Sequence, residues 1–490
     1  MAPALPRLQL DFPGGMLPAQ QAPSWTPARL QLLSEGSHAP GNVFQWPARW
    51  RGDCELRVAG HSSAGYLKRQ YHLRTLRGVA TAGRRMLAAQ FGKNWRPDHR
   101  FRLWGPYVDE SMIRNAVGYS LARDMGHYAP NFVFVELQAQ TDQRLDYLGV
   151  YMLEEEVTAR RLRLDACLAS NVSAPPMLTA FESGRFHPKF PYATQRVYGD
   201  IALSIARRVT GTLNASLAIP EQGAIDFCSF VDYLLLQELS SNPDAYRRST
   251  FLYTSCNGKL AAGPVWDFDL AFGNNDYNGE LGGVDHWQWA QLPNGSNSPL
   301  AGFYSTLLTQ AGTGTARMVA ARWDSLRGSG HPEDTALGCK APRNAVLSES
   351  RLQQRIQDLV ALLDDSGAAG RNFERWSLGV DDRGQGTYEG QIKFLSNWLS
   401  LRSRWIDRGL APLRQRPPRP LDADFCLACV GNDGRFSAIP WNQSSWENAL
   451  GSASSWTLLA CLPPLIIGIA MRRFYLQWST VTPGNYFVAM

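Results

Sequence analysis

The chain has 490 residues, and its 44% hydrophobic and 11% aromatic content excludes an intrinsically disordered protein. This length predicts a globular protein of enzyme size with one large core or two moderate ones. Lysine and arginine number 49 against 43 aspartate and glutamate residues, and no basic stripe is interleaved with aromatic residues, which argues against nucleic-acid binding.

Residues 1–50 predict a leader or linker. They are rich in Pro, Gln and Ser and show no sustained hydrophobic periodicity up to about Trp46. A basic stretch followed by an apolar core is not found there, so no signal peptide is recognisable, and we expect the chain to begin inside a longer protein.

Residues 51–163 predict a β-rich region with one inserted helix. The candidate strands, short runs of alternating or β-branched residues, are 55–59, 67–76, 132–137 and 147–153. The second of these strands has apolar residues on one face and polar or cationic residues, including Lys68, on the other, so it can line a cleft. Asp109 is the expected N-cap of the inserted helix, in which Ile113, Val117 and Leu121 recur every fourth residue.

Beyond about Arg163 the pattern changes and predicts a mainly helical region over 164–415. The segment 224–240 is apolar nearly all round, which is typical of a buried helix. Asn242-Pro243 is expected to end this helix, because the residue before a proline resists helical geometry. Further helices are predicted at 348–363 and 389–407, and the prolines of 412–421 mark the end of the folded domain.

Residues 416–490 form a predicted tail. Its apolar run 456–471 contains Pro463-Pro464 and is shorter than the roughly 20 residues that a spanning helix needs. The alternatives are a weak or single-pass membrane association through this run and a buried tail segment.

The eight cysteines are scattered along the chain and fit a few disulfides or buried thiols about equally well. Only Cys426-Leu-Ala-Cys429 has metal-like spacing, and without a second pair it favours a local disulfide or plain thiols over zinc. The triplets that permit N-glycosylation in a secretory compartment begin at Asn171, Asn214, Asn294 and Asn442.

Residues 250–265 predict a β-hairpin. The run Thr-Phe-Leu-Tyr-Thr is followed by Asn257-Gly258, which favours a two-residue type I′ turn. With that turn, Ser249 and Asp267 become diagonal neighbours at the open end of the hairpin. Asp244 precedes the first strand and Asp267 follows the second, so we expect both carboxylates at one edge of the sheet.

Two carboxylates in this arrangement suit a magnesium or manganese ion with a base beside it. Mg²⁺ prefers oxygen ligands and keeps several waters, so one or two carboxylates suffice when a nucleotide supplies phosphate oxygens. The residues that carry out phosphoryl transfer in protein kinases follow one another in the same order: an aspartate, a polar residue five positions later, a hairpin and a second aspartate. The alternative is that Asp244 caps a turn after Pro243 and Asp267 merely ends a strand.

Five ordered motifs make the chain similar to the spore-coat protein H kinases, the CotH family, an atypical branch of the protein-kinase-like fold. The motifs are GHSS from Gly60 followed by Lys68-Arg-Gln-Tyr, DESMIRN from Asp109, LGVYMLEE from Leu148, FVDYLLLQEL from Phe230 followed by Asn242 and Asp244, and WDFDLAFGN from Trp266. The resemblance covers about 51–275 and extends to about 410 at most. It implies an α+β, two-lobed protein-kinase-like fold, with a β-rich N-lobe at 51–163 and a mainly helical C-lobe at 164–415.

The resemblance also implies a function. Members of the family are associated with ATP- and Mg²⁺- or Mn²⁺-dependent phosphorylation of Ser or Thr on secreted or coat proteins, so a secretory, extracellular or cell-surface location is expected. Carried onto this chain, the resemblance makes Asp244 the catalytic residue and Asp267 a metal ligand. Ser249, where kinases place Asn, and Asp269 are the further metal candidates.

Three residues are candidate nucleotide contacts, each with a plainer alternative. Lys68 is either the phosphate-contacting lysine or a solvated surface lysine, and Arg114 either serves the same pocket or pairs on the surface. Glu155 either contacts the nucleotide or caps the hinge. Asp269 likewise is either a second metal ligand or a structural acceptor for the turn through Gly273.

The chain departs from ordinary protein kinases in two places. No His-Arg-Asp precedes the catalytic position, and no GxGxxG loop lies in the β-rich region. Two other functions therefore stay open beside the kinase. One is a catalytically inactive kinase-fold surface or binding protein, a pseudokinase or adhesin-like molecule, and the other is metal-dependent hydrolysis by the same carboxylates.

Overall fold

The computed structural model describes residues 4–13, 17–18, 24–33, 49–60, 63–76, 95–96, 98–141, 144–169, 175–191, 197–218, 224–254, 256–275, 282–291, 298–309, 314–329, 339, 344–376, 386–414, 429–430 and 436–437. The chain divides into two units, Met1–Arg416 and Pro417–Met490. The first unit is a mixed α+β structure with a β-rich N-terminal part followed mainly by helices, which confirms the predicted class. The predicted boundary between two lobes at 163 and 164 stays a prediction.

Seven strands close into a barrel. They are β1 (Arg7–Asp11), β2 (Thr26–Leu33), β3 (Arg49–Ala59), β4 (Gln70–Thr75), β5 (Arg100–Trp104), β6 (Phe132–Gln140) and β7 (Leu145–Glu155), in the order β1-β2-β3-β4-β5-β7-β6. Parallel pairing of β1 with β6 completes the closure, while the other neighbours are antiparallel. Alternate side chains such as Leu8, Leu73 and Leu103 point inward and are buried, because successive residues of a strand face opposite sides.

The first two strands correct the prediction of a leader or linker over 1–50. Leu8 and Leu10 of β1, and Leu30 and Leu32 of β2, are completely buried in the barrel core. Their alternation with polar residues is confined to two short stretches separated by Pro- and Gln-rich sequence. A periodicity judged over the whole segment therefore missed them.

The inserted helix, α1 (Arg114–Asp124), connects β5 to β6. It begins later than predicted, since its N-cap is Ile113 and not Asp109. Asp109 still serves the helix start, because its Oδ2 accepts a hydrogen bond from the Arg114 amide at 2.9 Å. Met112, with φ of +61°, makes the turn between them.

A second sheet and the remaining helices complete the described first unit. The sheet has the order β11-β10-β8-β9, with β8 (Met177–Glu182), β9 (Arg185–Phe190), β10 (Thr250–Thr254) and β11 (Leu260–Ala262). The α-helices are α2 (Tyr198–Ala218), α3 (Phe227–Ser240), α4 (Pro299–Thr309), α5 (Gly314–Arg327), α6 (Glu349–Asp364), α7 (Ala368–Trp376), α8 (Tyr388–Gly409) and α9 (Ala411–Arg414). Short 3-10 helices lie at Ser63–Gly65, Ala166–Ala169 and Gln288–Gln291. In the second unit, β12 (Cys429–Val430) pairs with β13 (Phe436–Ser437).

Helix α3 is the predicted buried helix, and its residues from Ser229 to Ser240 are all buried. The side chain of Asp226 caps its start by accepting a hydrogen bond from the Ser229 amide at 3.2 Å. Ser241, in the left-handed conformation, ends the helix just before Asn242-Pro243, where the sequence predicted the end.

The predicted hairpin forms, but with a different turn. Thr254 faces Leu260 and Leu252 faces Ala262, so the connection is longer than two residues and the register differs from the predicted one. The side chain of Asn257 accepts a hydrogen bond from the Lys259 amide at 2.9 Å, which makes a turn through a side chain. Only Gly258 of the Asn-Gly pair has a positive φ, +76°, whereas a type I′ turn needs it at both positions.

Two disulfides, Cys167–Cys256 and Cys228–Cys339, join distant parts of the first unit, and Cys54 is a buried free thiol. Cys426 lies outside the described residues, as do Asn171, Asn294, Asn442 and the apolar run 456–471. Among the helices of the described part of the chain, none combines the length and apolar character needed to cross a membrane.

Candidate active site

The loop after α3 and the segment after β11 are held together by the buried side chain of Asn242. Its Oδ1 accepts a hydrogen bond from the Asp244 amide at 3.1 Å, and its Nδ2 donates to the carbonyl oxygen of Asp267 at 3.0 Å. One amide therefore contacts the backbones of both predicted acids. Asn242 directly follows Ser241, the left-handed residue that ends α3.

Ser249 contacts Asp267 directly. Its hydroxyl donates a hydrogen bond to Asp267 Oδ2 at 3.2 Å, so the two residues that the hairpin argument predicted to be neighbours are neighbours, although the register differs. Both have positive φ, +47° for Ser249 and +64° for Asp267. Such backbone conformations are costly for residues other than glycine and are concentrated at functional sites.

Helix α1 fixes the segment that follows Asp267. Asn115 Oδ1 accepts a hydrogen bond from the Phe268 amide at 2.5 Å. The ring of Phe268 packs on Gly118 so closely that a Cβ at that position would lie 2.4 Å from it. Trp266 and Phe268 both pack against Tyr119, with ring centres 6.1 Å apart in each case. The aromatic residues of the WDFD motif thus hold the loop to α1.

Asp244 and Asp269 have raised pKa values. Burial raises the pKa of Asp244, the charge of Asp267 adds to the rise, and Arg247, whose Nη2 lies 3.5 Å from its Oδ1, opposes it. Burial raises the pKa of Asp269 well above its ordinary value, and the charges of Asp267 and Asp109 add to it. Asp244, Asp267 and Asp269 therefore lie within electrostatic range of one another.

Lys68 is completely buried, which excludes the alternative of a solvated surface lysine. It precedes β4 and is not part of that strand as predicted. Its Nζ donates to Asn372 Oδ1 of α7 at 2.6 Å and lies 5.2 Å from the ring centre of Tyr151. Burial lowers the pKa of Lys68 well below its ordinary value, against the opposing charge of Asp109.

Arg114 is also buried, and its Nη1 lies 2.5 Å from Asp109 Oδ1. The alternative of pairing on the surface is therefore wrong, because the pair lies in the interior. Whether Arg114 contacts a nucleotide stays a prediction.

Glu155 is fully buried at the end of β7. Its Oε2 accepts hydrogen bonds from the Tyr128 hydroxyl at 3.1 Å and from both nitrogens of Asn131 at 3.0 Å. Arg161 Nε lies 3.5 Å from its Oε1. These contacts tie β7 to the residues before β6, and a role of Glu155 in nucleotide binding stays a prediction.

Sequence reasoning missed two residues on the barrel, Arg102 and Glu154. The register places Arg102 of β5 opposite Glu154 of β7, with Nε and Oε1 3.9 Å apart. Burial raises the pKa of Glu154 to about 8, an effect that Arg102 opposes and the charge of Asp267 increases. Glu154 lies in the LGVYMLEE motif, but only strand pairing shows that it faces an arginine.

Glu182, at the end of β8, was also missed. Its Oε1 accepts a hydrogen bond from the Ser249 amide at 3.0 Å. Burial raises the pKa of Glu182, and the charges of Asp244 and Asp267 add to the rise. No local pattern marks this residue, because it reaches the site only through the pairing of β8 with β10.

The donors at the site suit a hard divalent cation. Asp267 and Asp269 offer carboxylates and Ser249 offers a hydroxyl, which are oxygen ligands of the kind that Mg²⁺ and Mn²⁺ prefer. Within the described ranges, no group of three or more His, Cys, Asp or Glu side chains is arranged as a complete metal site. Mg²⁺ commonly takes only one or two protein carboxylates and completes its coordination with water and phosphate oxygens.

Comparison with protein families matches residues 56–174 and 222–311 to the family described as CotH kinase protein. Over these residues the chain matches the CotH kinase family. The match indicates an atypical, kinase-like function and confirms the resemblance inferred from the motifs. The comparison with curated proteins found no match.

The two matched segments contain the CotH motifs together with Asp244, Ser249 and Asp267. Glu182 lies between the segments, in the β8–β9 hairpin that joins the sheet of β10 and β11. Helix α7, which carries Asn372, lies beyond the second segment. Two contacts described above thus come from parts of the chain that the CotH match does not include.

Proposed function

We propose that this chain is a CotH-type protein kinase that transfers the γ-phosphate of ATP to a serine or threonine hydroxyl of a secreted or surface protein. The observation that carries the proposal is the bridge of Asn242 between the backbones of Asp244 and Asp267. It holds a candidate base and a candidate metal ligand in a fixed relation, which phosphoryl transfer requires because positioning supplies most of its catalysis.

In this proposal Asp244 accepts or orients the proton of the substrate hydroxyl. Its raised pKa supports that role, because a base works best with a pKa closer to the working pH. Asp267 would hold Mg²⁺ or Mn²⁺, with Ser249 and Asp269 as further oxygen donors. The bound ion would offset the charge that develops on the phosphate oxygens.

The proposal includes a kinase-like arrangement of two lobes, with the barrel as the N-lobe and the helices as the C-lobe. The anchoring of Phe268 to Asn115 of α1 supports it, because this contact links the two parts next to the site. A secretory, extracellular or cell-surface location is supported by the disulfides Cys167–Cys256 and Cys228–Cys339, since disulfides form mainly in oxidising compartments.

A second candidate function is a catalytically inactive kinase-fold surface or binding protein. The observation that favours it is the engagement of Lys68 by Asn372, which leaves the predicted phosphate-contacting amine in a closed interior position. Ser249 in place of the asparagine of kinases points the same way, because a hydroxyl is the weaker metal ligand.

The test is phosphate transfer by the full chain from labelled ATP, with Mg²⁺ or Mn²⁺, to itself and to a generic protein, with phosphosites located by mass spectrometry. Asp244→Asn and Asp267→Asn are each expected to lower the rate by at least about a hundredfold. Asp146→Asn, which changes a carboxylate paired with Arg144, is the control and should leave the rate unchanged.

Other outcomes identify the alternatives. Consumption of ATP without a phosphoprotein would indicate metal-dependent hydrolysis by the same carboxylates. A chain that binds neither metal nor ATP would be an inactive binding protein. Transfer that survives in both aspartate variants would refute the assignment of the site.

A further inference from the structure

Arg102 brings a buried positive charge to the face of the barrel next to the proposed site. The register places His72 of β4 and Glu154 of β7 opposite it on its two sides. Directly paired residues of neighbouring strands project from the same face, so these three side chains form a row across the barrel. The Arg102 guanidinium lies 5.2 Å from the ring centre of Trp266, the residue before Asp267.

The guanidinium of Arg102 is incompletely hydrogen-bonded. Its Nη2 donates to Gln70 Oε1, but its Nε is 3.9 Å from Glu154 Oε1, which is too far for a hydrogen bond. Within the part of the chain that the structure describes, this Nε has no acceptor, although Arg102 is only 9% exposed. A buried cation with unmet donors is costly unless an anionic group completes its bonding.

The position of Arg102 shows which site it faces. Its guanidinium lies over the ring of Trp266, which directly precedes the proposed metal ligand Asp267 in the chain. A phosphate chain bound to the metal ion would bring anionic oxygens to a cation whose planar fork matches phosphate geometry.

Lys68 differs from Arg102 in that its charged nitrogen has an acceptor within the protein, whereas Nε of Arg102 has none among the described residues. Its amine has a short hydrogen bond to Asn372 Oδ1, which also accepts from the Val150 amide at 2.9 Å. The lysine, the asparagine and the β7 backbone thus form a closed contact that ties α7 to the barrel. This contact gives the buried Lys68 a partner within the protein.

We propose that Arg102, and not Lys68, contacts the phosphate chain of the nucleotide, and that Glu154 orients its guanidinium. The inference rests on the proposed function, because it names the phosphate-binding residue of that same site. The bond to Gln70 holds Nη2, and Nε, which has no acceptor within the described residues, would donate a hydrogen bond to a phosphate oxygen.

The test is calorimetric titration of the full chain, in Mg²⁺, with ATP, tripolyphosphate and adenosine. Arg102→Gln is expected to weaken binding of ATP and tripolyphosphate by at least about tenfold and to change the affinity for adenosine by less than about twofold. Arg102→Lys should lose less affinity for tripolyphosphate than Arg102→Gln, because lysine keeps the positive charge but lacks the planar guanidinium. Arg74→Gln is the matched control, since Arg74 also pairs with a glutamate, Glu55, and lies 4.2 Å from the ring centre of Trp25.

The outcomes separate this inference from the proposed function. If Arg102→Gln and Arg102→Lys bind tripolyphosphate as tightly as the wild type, Arg102 is not the phosphate contact, whatever the kinase assay shows. If Arg102→Gln loses tripolyphosphate binding but the wild type transfers no phosphate, the proposed function fails and the inference stands. Should Arg102→Gln not fold, the affinity of the Arg102→Lys variant decides. A wild type that binds none of the three compounds would overturn both.

Discussion

The side-chain amide of Asn242 donates a hydrogen bond to the carbonyl oxygen of Asp267 at 3.0 Å, and so joins the loop after α3 to the segment after β11. The same side chain accepts from the Asp244 amide, which makes it the residue through which the two acids keep their relation. Its burial protects both bonds from competition by water.

Replacing Asn242 by Ala should therefore lower phosphate transfer without abolishing nucleotide binding. We expect kcat to fall by about tenfold to a hundredfold while the Kd of ATP changes by less than about threefold, because the bridge positions groups and does not contact ligand. Asn257→Ala, which removes the side-chain turn of the β10–β11 connection, is the matched control and should not alter kcat. Equal losses in both variants would contradict a special role of the bridge.

Ser249 offers a test of how well the site binds metal. Its backbone has φ of +47°, a conformation that asparagine tolerates better than most residues, so Ser249→Asn is expected to fold and to add an amide oxygen to the site. The Mg²⁺ concentration for half-maximal transfer should fall several-fold in this variant. In Ser249→Ala it should rise by about tenfold, because the hydroxyl that contacts Asp267 is lost. Identical Mg²⁺ titrations of all three proteins would remove Ser249 from the metal site.

The β8–β9 turn is expected to support the loop after α3, which carries Asp244 and Ser249. Glu182 accepts from the Ser249 amide at 3.0 Å, and the Ser183 amide donates to the Arg247 carbonyl oxygen at 2.8 Å. Glu182→Ala should lower kcat by about tenfold, and the Ser249 amide should exchange its hydrogen faster. Glu182→Gln keeps the acceptor and should retain most of the activity. If Glu182→Gln lowers kcat as much as Glu182→Ala, the negative charge of Glu182 is what supports activity, and the hydrogen bond to Ser249 is not.

His72 predicts an acid-sensitive contribution to stability. Burial, together with the charges of Arg102 and Arg57, lowers the pKa of His72 from 6.5 to about 3. The unfolded chain then binds a proton below pH 6.5 that the folded chain does not bind, so the free energy of unfolding falls as the pH drops below 6.5 and levels off near pH 3.

Replacing His72 by Gln should remove this dependence. Between pH 6.5 and 5 the wild type should lose about 2 kcal/mol more stability than His72→Gln, measured by urea denaturation at each pH. Parallel stability curves of the two proteins over this range would show that His72 titrates normally in the folded chain.

Several parts of this molecule followed from local sequence. The buried helix before Asn242 was predicted because its residues are apolar on all sides, and it lies at Phe227–Ser240. The neighbourhood of Ser249 and Asp267 was predicted from an Asn-Gly hairpin. The two residues are neighbours although the turn is longer than predicted. Both lie at the open end of the hairpin, where a shift of one position still allows the Ser249 hydroxyl to contact Asp267.

Other parts depended on contacts between distant segments. The alternating patterns of β1 and β2 are separated by Pro- and Gln-rich sequence that obscured them, and the two strands pair with β6 and β3 in the barrel. The sequence predicted Lys68 on the polar face of a strand. In the structure its amine is hydrogen-bonded to Asn372 of α7, a helix more than 300 positions later in the chain. No periodicity near Lys68 contains that information.

The sequence by itself determined the α+β class, the CotH family and the pairing of Asp244 with Asp267, because these rest on ordered motifs and on local hairpin and helix patterns. Only the tertiary structure decided which charged groups surround that pair. Arg102, Glu154 and Glu182 reach the site through strand registers that join residues far apart in the chain. A buried charge is costly in the low dielectric of the interior unless an opposite charge or a hydrogen bond compensates it. The residue that supplies this compensation is set by tertiary contacts and cannot be read from a local sequence pattern.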